Sequence, residues 1–249
     1  MKHQSMAIAL AAFLCLAACG KRENTSSQTN KPVTAMAAKS GGETVQEGAA
    51  ASDVSSVQEG DIQRIRDTWR KQKIDGGMGD ITPGITEFAF AFCGEYKDFA
   101  PNAALYTYLM MPGEYKEEET GFAINDKKNN GFVSAHGMGQ YDTKTDCCYW
   151  NCDDGHQLLA FWLLDEHEDS SDQLVLFYDY DREEDILTPR PALTDMIEKA
   201  VKGYDSYAVN LPIQGKDIAI DTYTDAGDDS YETGSILLKW NGNGFVQKK

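Results

Sequence analysis

Seven consecutive apolar residues, Leu158-Leu159-Ala160-Phe161-Trp162-Leu163-Leu164, constrain this chain more than any other stretch. Strand side chains alternate between two faces, so a run that is apolar at both parities needs cover on both sides. The run Leu174-Val175-Leu176-Phe177-Tyr178 makes the same demand. With residues 145–150 these form three strand candidates, separated by the short polar loops 151–155 and 165–172, which favour an antiparallel meander over crossovers. Two central strands are therefore expected, with helices over one face and a second layer of strands, folded back from the C-terminus, over the other.

The helices precede the meander. Asp61 is a helix N-cap residue, and Ile62, Ile65 and Trp69 follow at helical spacing, predicting an amphipathic helix to about residue 72, closed by Asp75-Gly76-Gly77. Thr82-Pro83 announces a second helix with Ile85, Phe88, Ala89, Phe92, Cys93 and Tyr96 on one face. The alternation Phe88, Phe90, Phe92 also suits a strand, but the helical period covers more positions. Residues 103–111 predict a third, short helix stopped by Pro112-Gly113, and a charged loop follows at Glu117-Glu118-Glu119.

Strands are expected at 121–125 and 131–136, joined by a polar turn, and later at 207–211, 218–223 and 235–240. Thr188-Pro189 and Pro191 mark a break before a helix over 192–201, and Asn241-Gly242-Asn243-Gly244 supplies a hairpin turn into Phe245-Val246. The fold class expected is α+β, N-terminal helices packed on an antiparallel β-meander with a second layer.

Residues 61–249 read as one globular domain; residues 20–60 hold no Leu, Ile, Phe, Trp, Tyr or Cys. Nothing in that segment offsets the entropy of ordering, so it reads as a flexible linker with an end-to-end distance on the order of 35 Å. The chain carries a net charge of −17. Of its 23 basic residues one lies in 1–19 and four in 20–60; of its 40 acidic residues none and five do, leaving 18 against 35 in the body. Such a field repels phosphate backbones and argues against nucleic acid as a partner.

The start of the chain supplies an address. Met1-Lys2-His3 is basic, residues 6–16 are apolar, and Leu16-Ala17-Ala18-Cys19 ends the run on small residues and a cysteine. About 20 apolar residues are needed to cross a bilayer, and this segment has about half that. It resembles a bacterial lipoprotein signal peptide, which implies removal of residues 1–18, diacylation of Cys19, and residues 19–60 as lipidated cysteine and linker. More than one acyl chain is needed for stable retention. Gly20 follows the cysteine where Asp marks inner-membrane retention, so the resemblance implies a cell-envelope location at the outer membrane.

A second resemblance covers the chain from about Pro83 onward. It rests on Tyr149-Trp150-Asn151 with Gly155-His156, on Phe177-Tyr178-Asp179-Tyr180-Asp181, on Leu187-Thr188-Pro189, and on Leu238-Lys239-Trp240-Asn241-Gly242. Together these are similar to a group of uncharacterised bacterial lipoproteins of unassigned activity, so they imply no functional residues.

Four body cysteines, Cys93, Cys147, Cys148 and Cys152, are disulfide candidates if the chain is exported, and four allow three connectivities. Cys147 and Cys148 point to opposite faces, so one is expected to meet Cys93 across the sheet face and the other Cys152 at the turn. A metal set of Cys147 or Cys148 with Cys152 and His156 lacks paired Cys-x-x-Cys spacing. No hydrolase signature is present, which leaves His136 and His156 as candidate bases; His167 reads as a solvated loop residue.

Asp221, Asp225, Asp229 and Glu232 occupy positions 1, 5, 9 and 12 of a calcium loop, but Tyr223 and Ala226 stand where a ligand and a glycine belong. Asp179, Asp181, Glu183 and Asp185 also lack a folding glycine, so each cluster reads as an acidic hairpin. Trp69, Trp150, Trp162 and Trp240 are expected in the core. The function expected is a lipid-anchored binding or assembly module with no cofactor, its partners the membrane through Cys19 and an envelope protein or glycan. A hydrolase or a calcium-assisted glycan binder is the alternative.

Overall fold

The computed structural model describes residues 61–74, 83–168, 170–227 and 230–248. The signal segment, Cys19, the linker, the Asp75-Gly76-Gly77 stop, Thr82 and Asp229 lie outside the described residues.

The first helix, α1 (Asp61–Thr68), is shorter than its periodicity predicts. The chain instead turns into an edge strand, β1 (Gln72–Lys73), because Gln72 and Lys73 find ladder partners in Leu187 and Ile186. Helix α2 (Ile85–Glu95) settles the helix-or-strand ambiguity in favour of the longer period: Phe88 and Phe92 are buried while Phe90 lies half-exposed. Its first turn is closed by Glu87, whose carboxylate accepts from the Gly84 N–H at 2.8 Å. Helix α3 (Ala100–Met110) begins three residues earlier than expected, since Pro101 fits the first turn where no N–H is needed. The acidic stretch expected as a loop forms a single turn, α4 (Glu117–Thr120), ended by Gly121 at φ 75°.

Then come β2 (Phe122–Lys127), a 3₁₀ turn at Lys128–Asn130, β3 (Phe132–Gly137), β4 (Thr143–Asn151), β5 (Gln157–Glu166), β6 (Ser171–Asp181) and β7 (Ile186–Pro189). Strand β7 occupies the expected break. Its Pro189 is tolerated because β1 reaches only Ile186 and Leu187, so that side of Pro189 has no ladder bond to make. After α5 (Pro191–Val201) follow β8 (Ser206–Asn210), β9 (Ile218–Gly227), β10 (Ser230–Trp240) and β11 (Phe245–Gln247).

All strand pairs are antiparallel. One sheet has the order β1-β7-β6-β5-β4-β3-β2 and the other β11-β10-β9-β8, so the chain is α+β and mostly sheet. The both-parity runs lie on β5 and β6, the two central positions of the meander. Each residue from Leu158 to Leu164 is at most 5% exposed.

Alternate residues feed two separate clusters. Leu159, Phe161, Leu163, Leu174, Leu176 and Tyr178 share one with Ile65, Phe88, Phe92 and Leu105. Leu158, Ala160, Trp162, Val175 and Phe177 share the other with Ile197, Val209, Ile220, Leu238 and Phe245. Each buried Leu, Val or Phe of these runs contributes about 1.5–3 kcal/mol, and the runs feed both clusters. Trp150 and Trp162 are buried and Trp69 and Trp240 partly buried against these clusters, as their pattern predicts.

Polar groups fix the register between elements. Buried Asn102 on α3 accepts from Thr145 Oγ1 on β4 at 2.7 Å and donates to the Tyr96 carbonyl at 3.1 Å. Arg190 donates to Asp179 Oδ1 at 3.0 Å and to the Asn243 carbonyl at 3.2 Å, tying the β6 end to the last hairpin.

Candidate functional site

The titratable residues singled out in the sequence do not converge. His136 Nε2 lies 2.9 Å from Asp146 Oδ1, an orienting pair of the sort a base requires. Ser134, directly across from Asp146 in the β3–β4 register, is fully buried and its Oγ has no hydrogen-bond partner. The hydroxyl is thus neither activated by His136 nor open to a substrate. His156 is exposed, 3.9 Å from Asp154. His167 is not simply solvated: it lies half-buried, 3.3 Å from Asp165, whose pKa burial raises although His167 and Thr143 act to lower it.

The four cysteines carry free thiols in this structure. Cys147 sits beside Cys93 in the helix-side cluster, and burial first, then that neighbour, raises its pKa well above the ordinary thiol range. Cys148 faces the opposite cluster, donates to the Pro212 carbonyl at 3.4 Å, and is pushed up to about 12 by burial. Cys152, on the same side, is raised to about 11 by burial and then by the charges of Asp154 and Asp179.

The residues at calcium-loop spacing lie on a strand pair, in line with the acidic hairpin expected from the sequence. Asp221 and Asp225 lie on β9 and Glu232 on β10 opposite Thr224, so the ladder sets their positions. The second acidic cluster is the β6–β7 turn: Asp181 Oδ1 accepts from the Glu183 and Glu184 N–H groups, and Asp185, at φ 54°, accepts from Tyr180 Oη at 2.6 Å. Among the described residues no three His, Cys, Asp or Glu side chains form a metal-ligand set.

What the structure does assemble is a cleft of about 390 Å³ between β1 and the outward side of α2 and α3. Its floor is the Phe90–Tyr106 pair, stacked with centroids 4.5 Å apart and planes 21° apart. Gly94 makes this possible, since a Cβ there would lie 2.9 Å from Tyr106 Cε2. Lys71 and Lys73 line the cleft, and among the described residues neither has an ion-pair partner; Arg70 beside them is taken by Glu95.

Gln72 completes the lining. It is only 7% exposed, its Nε2 donates to Tyr178 Oη at 3.1 Å, and its Oε1 finds no donor among the described residues. A buried acceptor left unmet costs about 1–3 kcal/mol. A second cleft, of about 260 Å³, lies between Asn129, Asn130, Tyr149, Asn151 and Lys216.

The first cleft's residues were not expected from the sequence. The available signal was Arg70-Lys71-Gln72-Lys73, three cations in four residues within an acidic body, and Phe90, which departs from the buried face of α2. Comparison with known proteins finds no matching family model, no matching curated protein and no matching solved structure.

Proposed function

We propose that this chain is a lipid-anchored binding or assembly module of the cell envelope, held by acyl chains on Cys19 at the outer membrane, with the Lys71–Tyr106 cleft as its contact site. The observation that carries the reading is that cleft: a concave, partly aromatic surface with two ammonium groups that have no ion-pair partner among the described residues. The unpartnered, buried Ser134 hydroxyl weighs against the hydrolase alternative.

In the same reading α1 to α3 cover one face of the meander, and the four-stranded sheet with α5 is the second layer on the other. The mixed composition of the two clusters supports both assignments. Export also makes disulfides among Cys93, Cys147, Cys148 and Cys152 part of the proposal, with Cys93 and Cys147 the pair already adjacent.

Fractionation of cells expressing the full chain tests the anchor. The unaltered protein is expected in the membrane fraction and Cys19→Ser in the soluble extracytoplasmic fraction. Mass spectrometry finding an unmodified Cys19 still joined to Ala18 would overturn it. The binding role is tested by cross-linking the anchored protein to envelope components, with loss of the cross-links expected in a Lys71→Gln/Lys73→Gln variant.

A further inference from the structure

We infer that the cleft between β1 and the α2–α3 pair binds an acidic sugar, a pyranose ring carrying one carboxylate. This rests on the binding-module reading above and names the ligand class of that same site.

Three features converge on it. Lys71 and Lys73 offer two ammonium groups without a carboxylate partner among the described residues, in a body whose acids outnumber its bases by 35 to 18. Glu95 also lines the cleft, but its carboxylate is paired with Arg70, so the two lysines leave the cleft a net positive spot suited to an anion brought from outside.

The stacked Phe90–Tyr106 pair provides flat apolar surface, which complements the C–H face of a pyranose. The volume of about 390 Å³ is at the lower end of the range for small-molecule sites, sufficient for one or two sugar rings. A polyphosphate or nucleotide would bring several charges into a strongly acidic field and is disfavoured by it. A single carboxylate on a pyranose ring meets both the lysines and the rings with one negative charge.

The test uses the chain from residue 20 onward, with its linker, titrated by calorimetry and by NMR against glucuronic acid, glucose and inorganic phosphate. Saturable binding of glucuronic acid that perturbs Phe90 and Tyr106 is expected, with glucose and phosphate at least about tenfold weaker. The exposed double variant Lys71→Gln/Lys73→Gln, with an unchanged melting temperature, is expected to lose about tenfold or more in glucuronic acid affinity, and Tyr106→Ala to lose binding while keeping its fold. Glucose binding as well as glucuronic acid, phosphate competing equally, or a lysine variant with undiminished affinity would each overturn the assignment. Envelope cross-links that persist in a chain indifferent to glucuronic acid would sink the acidic-sugar class alone; loss of the cross-links as well would sink the module reading with it.

Discussion

The rings of Phe92 on α2 and Phe161 on β5 lie stacked, with centroids 3.9 Å apart and planes 12° apart, and both residues are fully buried. Tyr178 on β6 meets each of them edge-on, at 6.1 and 5.8 Å. Truncating either stacked ring removes transferred apolar area and opens a cavity. Phe92→Ala or Phe161→Ala is expected to cost about 3–5 kcal/mol, read by denaturant titration. The double variant should cost less than the sum of the two, since they share one contact.

A second expectation concerns the last hairpin turn. Gly242 has φ 102°, and a Cβ there would lie 2.1 Å from Asp153 Oδ2, while Asp153 N–H donates to the Gly242 carbonyl at 2.9 Å. The strained backbone and the clash together should make Gly242→Ala destabilising by about 1–3 kcal/mol. Adding Asp153→Ala removes the clash but leaves the dihedral strain. Thermal melts should then show partial recovery in the double variant, and none would mean that the dihedral alone decides.

With its thiols reduced, the chain should lose stability on the alkaline side. The thiols of Cys147 and Cys148 and the phenols of Tyr178 and Tyr180 are all raised, in each case with burial as the leading cause. The native thiols keep their protons where the unfolded chain loses them, from about pH 9 upward, so the native state binds more protons and stability falls as pH rises. The contribution is fully present below pH 9 and, for Cys148, is lost towards pH 12. Melting temperature measured from pH 7 to 11 should fall more steeply in the unaltered chain than in Cys148→Ala.

If the chain is exported, as proposed, the adjacent thiols of Cys93 and Cys147 give a redox expectation. Two thiols each lose a hydrogen to a dithiol–disulfide oxidant of that compartment, and an S–S bond joins α2 to β4. Closing a loop of this length constrains the unfolded chain by roughly 4 kcal/mol. Non-reducing peptide mapping should recover a Cys93–Cys147 linked pair. Both recovered as free thiols from envelope material would reject the pairing.

Much of the framework was legible in residues 157–180. A strand apolar at both parities has no stable edge position, so β5 and β6 had to be central whatever surrounded them. The opposite facing of Cys147 and Cys148 followed from the same alternation. Boundaries were less legible: helical periodicity runs through Trp69, and only pairing with Leu187 makes Gln72 a strand residue. The cleft was illegible for a related reason, since it joins β1, α2 and α3, and no local pattern records that Tyr106 lies over Gly94.

By itself, then, the order of residues determined the α+β class, the central strands, the demand for cover on both faces and the acidic character of the body, because each depends on local periodicity or on a sum over the chain. Tertiary structure alone decided that His136 would meet Asp146 without a serine, that the β9–β10 acids would lie along a ladder, and that Gln72 would be buried against Tyr178. Those outcomes depend on side chains distant in sequence coming within hydrogen-bond reach, and only the packed chain fixes such distances.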